Sequence, residues 1–307
     1  MIVAVLMSTY NGEKYLKEQI DSILQQEGNF KIQLVARDDG STDSTQEILN
    51  IYQKKGLLRW YQGENVGPAL SFMELVHNTD GCDFYALADQ DDVWSRDKLA
   101  RAIKLIMEKG NLEKPVLYCS NARLVNRDLE SLGRDVYRKP PKTDFFTLTC
   151  AGGLLGCTMV YSSSLQALLT SHVGPSKNDI VMHDFYIALV CAGCGGELIY
   201  DDYPSLKYRQ HGNNTIGVNY GFFHTLKSRI KDVFYKEKVS IAVQANAIRS
   251  IYSDGCLLEN NANWLDEVAH YHDSIITRIS LAMSTKTKYI NCNMGIRLRA
   301  EILLSNR

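Results

Sequence analysis

The chain has 307 residues, 45% of them hydrophobic, which is enough to bury a sizeable core as one large domain or as a domain with an appendage, and which argues against a disordered chain. Its 34 basic residues against 35 acidic residues give a net charge of −1, so no long-range field for a nucleic-acid partner is expected. The eight cysteines are scattered, without the density of a disulfide scaffold, which is typical of reduced thiols in a cytoplasmic protein.

Three short features are possible metal-binding, targeting or membrane-spanning signals. Cys191 and Cys194 form a single Cys-x-x-Cys pair, but zinc would need a second ligand pair and a redox site would need a suitable βαβ context, so packing is the preferred interpretation. The apolar run Met1–Met7 has no basic segment before it and is predicted to be a strand. The apolar stretch 187–195 is too short to span a membrane, so any membrane contact is expected to be peripheral.

The first 120 residues alternate short apolar runs with amphipathic segments, the pattern of a mostly parallel sheet covered by helices. Leu16, Ile20 and Ile23 share one face of the first helix. The sequence Ser44-Thr45-Gln46-Glu47 has the form of a capping box that would open the second helix. The predicted strands cover residues 2–7, 32–36, 57–61, 85–89 and 116–120, and the predicted helices cover about residues 13–26, 44–52, 68–77 and 95–109.

The pattern changes after residue 120. Residues 121–149 are predicted to form a long functional loop or lid around the basic, proline-bearing segment 137–142. The composition turns helical beyond Asn219. Strands are expected at 157–161 and 205–210, a helix beginning at Asp184, and further helical segments at 222–234, 239–252 and 263–279.

The segment Tyr85–Trp94 carries the strongest chemical signal, because a short apolar run stops at Asp89, Asp91 and Asp92. In open α/β sheets ligands bind beyond the carboxyl ends of strands, so these acids lie where a ligand is expected. Asp-x-Asp can hold a hard divalent cation through oxygen and leave coordination sites for water and phosphate oxygens. A diphosphate substrate is the functional interpretation, and a solvated acidic turn before a helix is the alternative.

Several further polar segments follow predicted strands or open predicted helices. They are Ser8-Thr9-Tyr10-Asn11-Gly12, Arg37-Asp38-Asp39-Gly40-Ser41-Thr42-Asp43, Glu64-Asn65-Val66-Gly67-Pro68, His183-Asp184 and Tyr208-Arg209-Gln210-His211-Gly212-Asn213-Asn214. Each is weak alone. In this order, and together with Asp-Gln-Asp-Asp-Val-Trp, they make the chain resemble the inverting family 2 glycosyltransferases over roughly residues 1–215, and within that family it is most similar to bacterial polysaccharide rhamnosyltransferases.

The resemblance implies an α/β fold of the GT-A type, a mostly parallel nucleotide-binding sheet flanked by helices, with a C-terminal helical appendage. The implied domain covers residues 1–219, with a nucleotide-binding half at 1–120 and an acceptor half at 121–219. Residues 220–307 would form the helical region.

The resemblance also implies how the nucleotide is held. The turn Thr9, Tyr10, Asn11 and the carboxylate of Asp39 would bind it, and Asp39 would accept from the imide N–H of a pyrimidine, which favours uracil or thymine over purines. Turn or capping chemistry is the alternative for Asp38 and Asp39, although Asp43 and Ser44 could supply that alone. Asn65 and Gly67 would border the nucleotide.

For the cation, the resemblance places Asp89 near the ribose and the metal and makes Asp91 a ligand, so Mn²⁺ or Mg²⁺ is the expected cofactor. His211 would return to the metal or the diphosphate and favour Mn²⁺, unless it is an ordinary surface or core histidine. Arg209 has two interpretations, contact with the diphosphate or a strand-edge ion pair.

Asp184 is the expected catalytic base, since family members place an acidic residue at the start of a helix in this region, although it could also cap that helix. The chain departs from the family at His183, where many relatives have Glu, and whether His183 takes part in catalysis is left open. Gly152 and Gly153 would allow close backbone approach near the acceptor. Trp94 offers a sugar-stacking face or a buried core side chain.

The predicted function is therefore transfer of a sugar, with L-rhamnose from dTDP-rhamnose as the best guess, onto a growing and lipid-linked cell-surface glycan. Another UDP- or dTDP-sugar, or a catalytically silent nucleotide-sugar binding subunit, is the alternative. A sugar nucleotidyltransferase would need a glycine-rich basic loop near the N-terminus, and a dinucleotide oxidoreductase would need Gly-x-Gly-x-x-Gly after the first strand. Neither motif is present.

The segment 222–238 combines basic and apolar side chains at helical spacing. Such a helix could rest on the anionic inner face of the cell membrane, or its aromatic face could pack on the catalytic domain or form a homodimer. The basic residues are Lys227, Arg229, Lys231, Lys236 and Lys238, and the apolar ones are Phe222, Phe223, Leu226, Ile230 and Phe234.

Overall fold

The computed structural model describes residues 1–211, 240–286 and 302–303. The strands are β1 (Ile2–Thr9), β2 (Lys31–Asp38), β3 (Arg59–Gln62), β4 (Phe84–Ala88), β5 (Val93–Trp94), β6 (Val116–Val125), β7 (Ser131–Asp135), β8 (Val160–Ser162) and β9 (Glu197–Arg209). The helices are α1 (Leu16–Leu24), α2 (Thr45–Lys54), α3 (Pro68–His77), α4 (Lys98–Lys109), α5 (Phe145–Ala151), α6 (Ser163–Thr170), α7 (His183–Gly193), α8 (Ile241–Ile251), α9 (Glu259–Ala269) and α10 (Ile275–Met283).

The strands form one sheet in the order β3-β2-β1-β4-β8-β6-β9-β5, with β7 paired to β6 outside this path. The long pairings β1 with β2, β1 with β4, β2 with β3 and β6 with β9 are parallel, whereas the short pairings that involve β8, β5 and β7 are antiparallel. The predicted α/β fold with a mostly parallel sheet is therefore confirmed.

Strand β1 shows why both faces of the sheet are covered by helices. Its side chains alternate between two buried clusters, with Ala4 and Leu6 in one and Val3, Val5 and Met7 in the other. The first cluster includes side chains of α3, α5, α6, α7 and the C-terminal helices, and the second includes side chains of α1, α2 and α4. Strand β1 is thus buried on both sides, and its carboxyl end is fixed by the helices around it.

The predicted helix 68–77 is confirmed at both ends by α3, whose first residue is Pro68. The predicted capping box is wrong, because the Ser44 side chain makes no capping hydrogen bond. The Asp43 carboxylate instead accepts from the N–H and the hydroxyl of Thr45. A carboxylate one residue earlier therefore satisfies the start of this helix.

The predicted loop at 121–149 is also wrong over much of its length. Strand β6 continues to Val125 and turns back as β7, and α5 begins at Phe145 after its N-cap Asp144 accepts from the N–H of Thr147. The polar side chains in this segment hid the strand, because β7 lies at an edge and has no apolar face to bury.

The C-terminal part that the structure describes, residues 240–286, is helical, and Trp264, Leu265 and Val268 of α9 are buried in the first cluster. No described helix is long and apolar enough to cross a membrane. The basic and aromatic segment 222–238 lies outside the described residues.

Candidate functional site

A cavity of about 320 Å³ opens beyond the carboxyl ends of β1, β2 and β4, next to the start of α7. Its lining includes Tyr10, Asp39, Asp89, Asp91 and Asp184. Tyr10, Asp39, Asp89 and Asp91 meet because parallel strands end at the same edge of a sheet, and Asp184 reaches the same cavity from the first turn of α7. Asn65 and Gly67, which were predicted to border the nucleotide, also line it.

Next to the cavity lies a hydrogen-bonded group, which we call the paired wall, that consists of Thr9, Arg37, Asp38 and Asp39, and Asp39 is the member that lines the cavity. The Asp38 carboxylate is fully buried and accepts from Thr9 Oγ1, the N–H and hydroxyl of Ser41, and Gln46 Nε2. These bonds fix the turn after β2. Thr9 is held in this network and does not line the cavity, so it acts on the turn and not on a ligand.

Asp39 is bound more tightly still. Its carboxylate accepts from Arg37 Nη1 at 2.5 Å, from the N–H of Val66 at 3.0 Å and from the N–H of Gly67 at 2.9 Å. Gly67 has a φ of 86°, a left-handed conformation that glycine adopts without strain, and this turns its N–H toward the carboxylate. The predicted nucleotide-binding residue is thus already oriented, with lone pairs left on the side that lines the cavity.

The cation of this wall, Arg37, was not singled out by the sequence. It is 1% exposed and also binds Glu74 on α3 at 2.6 Å. Burial opposes its charge, but hydrogen bonds to Asp39 and Glu74 outweigh that and raise the pKa of the Arg37 guanidinium. The charge of Asp39 is therefore compensated within the protein.

The turn that follows β1 is tied to the acidic turn that follows β4. Gln90 Oε1 accepts from the N–H of Tyr10 and Gln90 Nε2 donates to the carbonyl of Tyr10, both at 2.9 Å. Asn11 has a φ of 48° and its amide oxygen accepts from the N–H of Thr42, so it joins the first two turns without lining the cavity. Gln90, which the sequence did not indicate, acts as a second connection between these turns.

A second group of carboxylates, which we call the crowded wall, consists of Asp89, Asp91 and Asp184, which line the cavity, and of Asp92, which does not. Burial and the charges of Asp91 and Asp184 raise the pKa of Asp89 to about 7. Burial, Asp91 and Asp89 also raise the pKa of Asp92, which is completely buried and has Oδ2 without a hydrogen-bond partner among the described residues. These carboxylates lack the compensation that Asp39 receives, and a bound cation would relieve their repulsion.

Two further side chains lie beneath the acidic turn. Cys157 Sγ and carboxylate oxygens of Asp89 and Asp92 all lie within 4.8 Å of one another. Burial lowers the pKa of Lys98 to about 8, against the influence of Cys157 and Asp92, and its ammonium lies 4.3 Å from the centre of the Trp94 ring. Trp94 is buried in the core and does not line the cavity, so it is not placed to stack on a sugar there.

His211 was predicted to return to the metal or the diphosphate, and in the structure it lies beside Asp91. Its Nε2 is 2.7 Å from Asp91 Oδ2, and its ring stacks on Tyr15 at 5.0 Å. Asp89, Asp91 and His211 are not gathered around one point in the described part of the chain, since the tight group there is Asp89, Asp92 and Cys157.

Arg209 does not line the cavity among the described residues. Its guanidinium is buried, donates to the carbonyl oxygens of Asp91 and Arg127, and pairs with Glu18 at 2.5 Å. Its own N–H donates to Asp92 Oδ1. Arg209 therefore forms an ion pair, which was one of its two interpretations. It also binds the acidic turn through Asp91 and Asp92.

Asp184, the predicted base, is the second residue of α7. Oδ1 accepts from the N–H of Phe185 at 2.7 Å and Oδ2 accepts from the N–H of Gly156 at 3.1 Å. Burial raises the pKa of Asp184 to about 6, and these backbone bonds oppose the shift. A carboxylate with this pKa is ionised at neutral pH and can still take up a proton.

Gly152 and Gly153, in the predicted acceptor half, were expected to lie near the acceptor. Gly152 and Gly153 both have positive φ, at 55° and 102°, and the carbonyl of Gly153 accepts from the Tyr137 hydroxyl. Phe185 packs directly against Gly152, where an added Cβ would lie 3.3 Å from its ring. Neither glycine lines the cavity in the structure, although Leu155 and Gly156 just beyond them do.

Comparison with known sequences identifies relatives of this chain. Residues 4–158 match the profile of Glycosyl transferase family 2. The dTDP-rhamnosyl transferase RfbG of Shigella flexneri is 27% identical over 253 residues, which cover 78% of this chain and 84% of that protein. The abequosyltransferase RfbV of Salmonella typhimurium is 30% identical over 104 residues, 33% of this chain and 31% of that protein.

Comparison with solved structures identifies proteins that share the fold of this chain. S. aureus TarS 1-349 in complex with UDP-GlcNAc has a TM-score of 0.56 and 17% identity, with 99% of this chain and 90% of that chain covered. The mannosyltransferase PcManGT from Pyrobaculum calidifontis, in complex with GDP-Man and Mn²⁺, has a TM-score of 0.52 and 16% identity, with 99% and 88% covered. The fold is of the GT-A type, and the chain belongs to glycosyl transferase family 2.

Proposed function

We propose that the protein is a metal-dependent inverting glycosyltransferase that uses Asp184 as its general base. The observation that carries this proposal is the position and state of Asp184, which lines the same cavity as Asp89 and Asp91 and whose pKa burial raises to about 6. A base is most effective when its pKa is near the working pH.

The leading donor is dTDP-L-rhamnose. The relative with the longest match described above is named a dTDP-rhamnosyl transferase, and it covers most of this chain. Asp39, held by Arg37 and two backbone N–H groups, offers an acceptor for the imide N–H of thymine. Because uracil presents the same imide, Asp39 does not separate dTDP- from UDP-sugars.

The crowded wall fits a divalent cation. Asp89 and Asp91 would supply oxygen ligands and His211 an imidazole nitrogen, and a cation there would offset the burial and the neighbouring charges of Asp91 and Asp184 that raise the pKa of Asp89. Oxygen ligands with one imidazole suit Mn²⁺ or Mg²⁺, and the imidazole favours Mn²⁺. When bound there, the cation would supply charge neutralisation for the departing diphosphate.

The chemical step follows from the position of the base. The acceptor hydroxyl loses its proton to Asp184 as its oxygen forms a bond to the anomeric carbon of the donor sugar. The bond from that carbon to the diphosphate oxygen breaks at the same time, and nucleoside diphosphate leaves with the bonding electrons. Attack on the face opposite the leaving group inverts the configuration.

The test is a donor panel. We expect the purified chain to release nucleoside diphosphate from dTDP-rhamnose faster than from UDP-sugars or other dTDP-sugars, to lose this activity in excess EDTA, and to regain it with Mn²⁺ or Mg²⁺. Full activity in EDTA would contradict metal dependence, and faster release from another sugar would replace the donor. Metal-independent binding without release from any donor would indicate a silent binding subunit.

The acceptor and location complete the proposal. A growing, lipid-linked glycan would be extended in the cytoplasm at the inner face of the membrane, with the segment 222–238 as the contact. Because salt screens attraction between basic side chains and anionic lipid, sedimentation with anionic vesicles should fall at high salt and when Lys227, Arg229 and Lys231 become Glu. Absence of binding at low salt would favour packing on the domain or a homodimer instead.

A further inference from the structure

His183 is a buried residue that lines the cavity. It is 5% exposed, lines the cavity beside Asp184, and neither Nδ1 nor Nε2 has a hydrogen bond among the described residues. Native proteins rarely leave such nitrogens unpaired, because a buried polar group without a partner costs about 1–3 kcal/mol. Two in one ring indicate a partner that binds in the cavity.

Phe72 and Gly156 pack around the His183 ring and determine its position in the structure. Its imidazole stacks on Phe72, with ring centres 3.9 Å apart. On the other side the chain has Gly156, where an added Cβ would lie 2.7 Å from His183 Nε2 and 3.2 Å from Asp184 Cβ. A glycine is therefore needed there for the imidazole and the base to lie side by side.

The ring is also neutral. Burial lowers the pKa of His183 to about 3, so no proton is added to it in the range where an enzyme of this kind would work. A neutral imidazole has one N–H donor and one bare nitrogen acceptor. A hydroxyl both donates and accepts, so it can bind either nitrogen of the ring, whichever nitrogen carries the proton.

We propose that His183 recognises a hydroxyl of the bound saccharide and so helps to determine which sugar is used, an inference that rests on the proposed function. Both nitrogens are buried among the described residues, so the bond forms when the ring turns from its position in the structure toward the ligand, a side-chain change that binding commonly produces. The hydroxyl belongs either to the donor sugar or to the acceptor sugar.

The experiment compares His183→Leu with the wild type in two reactions, hydrolysis of dTDP-rhamnose without acceptor and transfer to acceptor. We expect kcat/KM to fall about tenfold, the usual cost of losing one hydrogen bond to a ligand. A fall in both reactions assigns the hydroxyl to the donor, and a fall in transfer alone assigns it to the acceptor. His183→Gln and His183→Asn, which keep a donor and an acceptor, should recover most of the loss.

Deoxy analogues separate recognition from a structural role. The loss caused by His183→Leu should disappear for the one analogue that lacks the contacted hydroxyl and persist for the others. His77→Leu is the control, because His77 also has a buried nitrogen without a partner but lies on α3 outside the cavity lining. It should leave all kinetic constants unchanged.

Two results would overturn the assignment while leaving the proposed function intact. One is wild-type turnover with His183→Leu and His183→Gln both within twofold of it. The other is an equal loss for every analogue, which would assign the ring a packing role. If His183→Leu does not fold, the same comparison is made with His183→Gln and His183→Asn. If the wild type releases no nucleoside diphosphate from any donor, the proposed function fails, and the assignment of His183 with it.

Discussion

The two walls both contain buried carboxylates, but they differ in how the negative charge is compensated. On the paired wall Asp38 and Asp39 are buried but satisfied by an arginine, hydroxyls and backbone N–H groups. On the crowded wall Asp89 and Asp92 are repelled by neighbouring carboxylates, and their pKa values rise. The difference teaches that the protein itself pairs the carboxylates of the first wall, whereas burial and mutual repulsion disfavour the charged forms of Asp89 and Asp92 in the second.

The largest effect is expected when the proposed base of the crowded wall, Asp184, is replaced. Asp184→Asn removes the proton acceptor but keeps the shape of the side chain, so kcat should fall by about 10² to 10⁴ while donor binding is kept. The measurement is kcat for nucleoside diphosphate release together with the donor Kd from calorimetry. Turnover close to the wild type would move the role of base to another residue.

The pH profile is the control for this variant. Asp184 works only when it is deprotonated, and its pKa is raised to about 6, so kcat should fall by about tenfold per pH unit below that pH and level off above it. In Asp184→Asn this acidic limb should be absent. If the limb persists in the variant, it reports a different group.

The next effect breaks the paired wall. Arg37→Met leaves the Asp39 carboxylate buried without its cation, so the free energy of unfolding should fall by about 3–5 kcal/mol. Chemical denaturation measures this. Arg101→Met is the matched control, because Arg101 pairs with Asp201 at 2.6 Å but is 42% exposed, and its loss should cost no more than about 1 kcal/mol. Equal costs for the two variants would mean that Asp39 is not electrostatically dependent on Arg37.

The smallest effect sharpens the comparison because it depends on pH. Because the pKa of Asp89 is raised to about 7, the metal-free folded protein loses stability from this group as pH rises from about 4 to 7. Asp89→Asn removes the charge, so its Tm without metal should exceed that of the wild type at pH 8 and equal it at pH 4. Added Mn²⁺ should raise Tm only in the wild type. A lower Tm for the variant at pH 8 would show that the Asp89 charge is already compensated.

The sequence was informative where the signal is local. Asp89, Asp91 and Asp184 stand at the end of an apolar run or the start of a helix, and the structure brings all three to one cavity. The edge strand β7 was missed because it has no apolar face, and the Ser44 cap was misassigned because a carboxylate one residue earlier took its place. Element type was therefore predictable wherever burial imposed a period.

The roles of the cations could not be predicted, since their partners are distant in the chain. Arg37 reads as an ordinary charged residue until α3 brings Glu74 to it, 37 residues away. Arg209 lies next to a recognisable motif, but its partner Glu18 is 191 residues away. The unpartnered state of His183 likewise depends on Phe72 and Gly156 packing around it.

The contact between Arg209 and Asp91 can form only late in the synthesis of the chain. The Arg209 guanidinium fixes the carbonyl of Asp91, 118 residues earlier in the chain. At roughly 5–20 residues per second, the ribosome adds Arg209 on the order of ten seconds after it adds the acidic turn. Until then the turn lacks its clamp, and His211 is not yet there to meet Asp91. The acidic turn therefore gains the contacts seen in the structure only after residues 209 and 211 have been added.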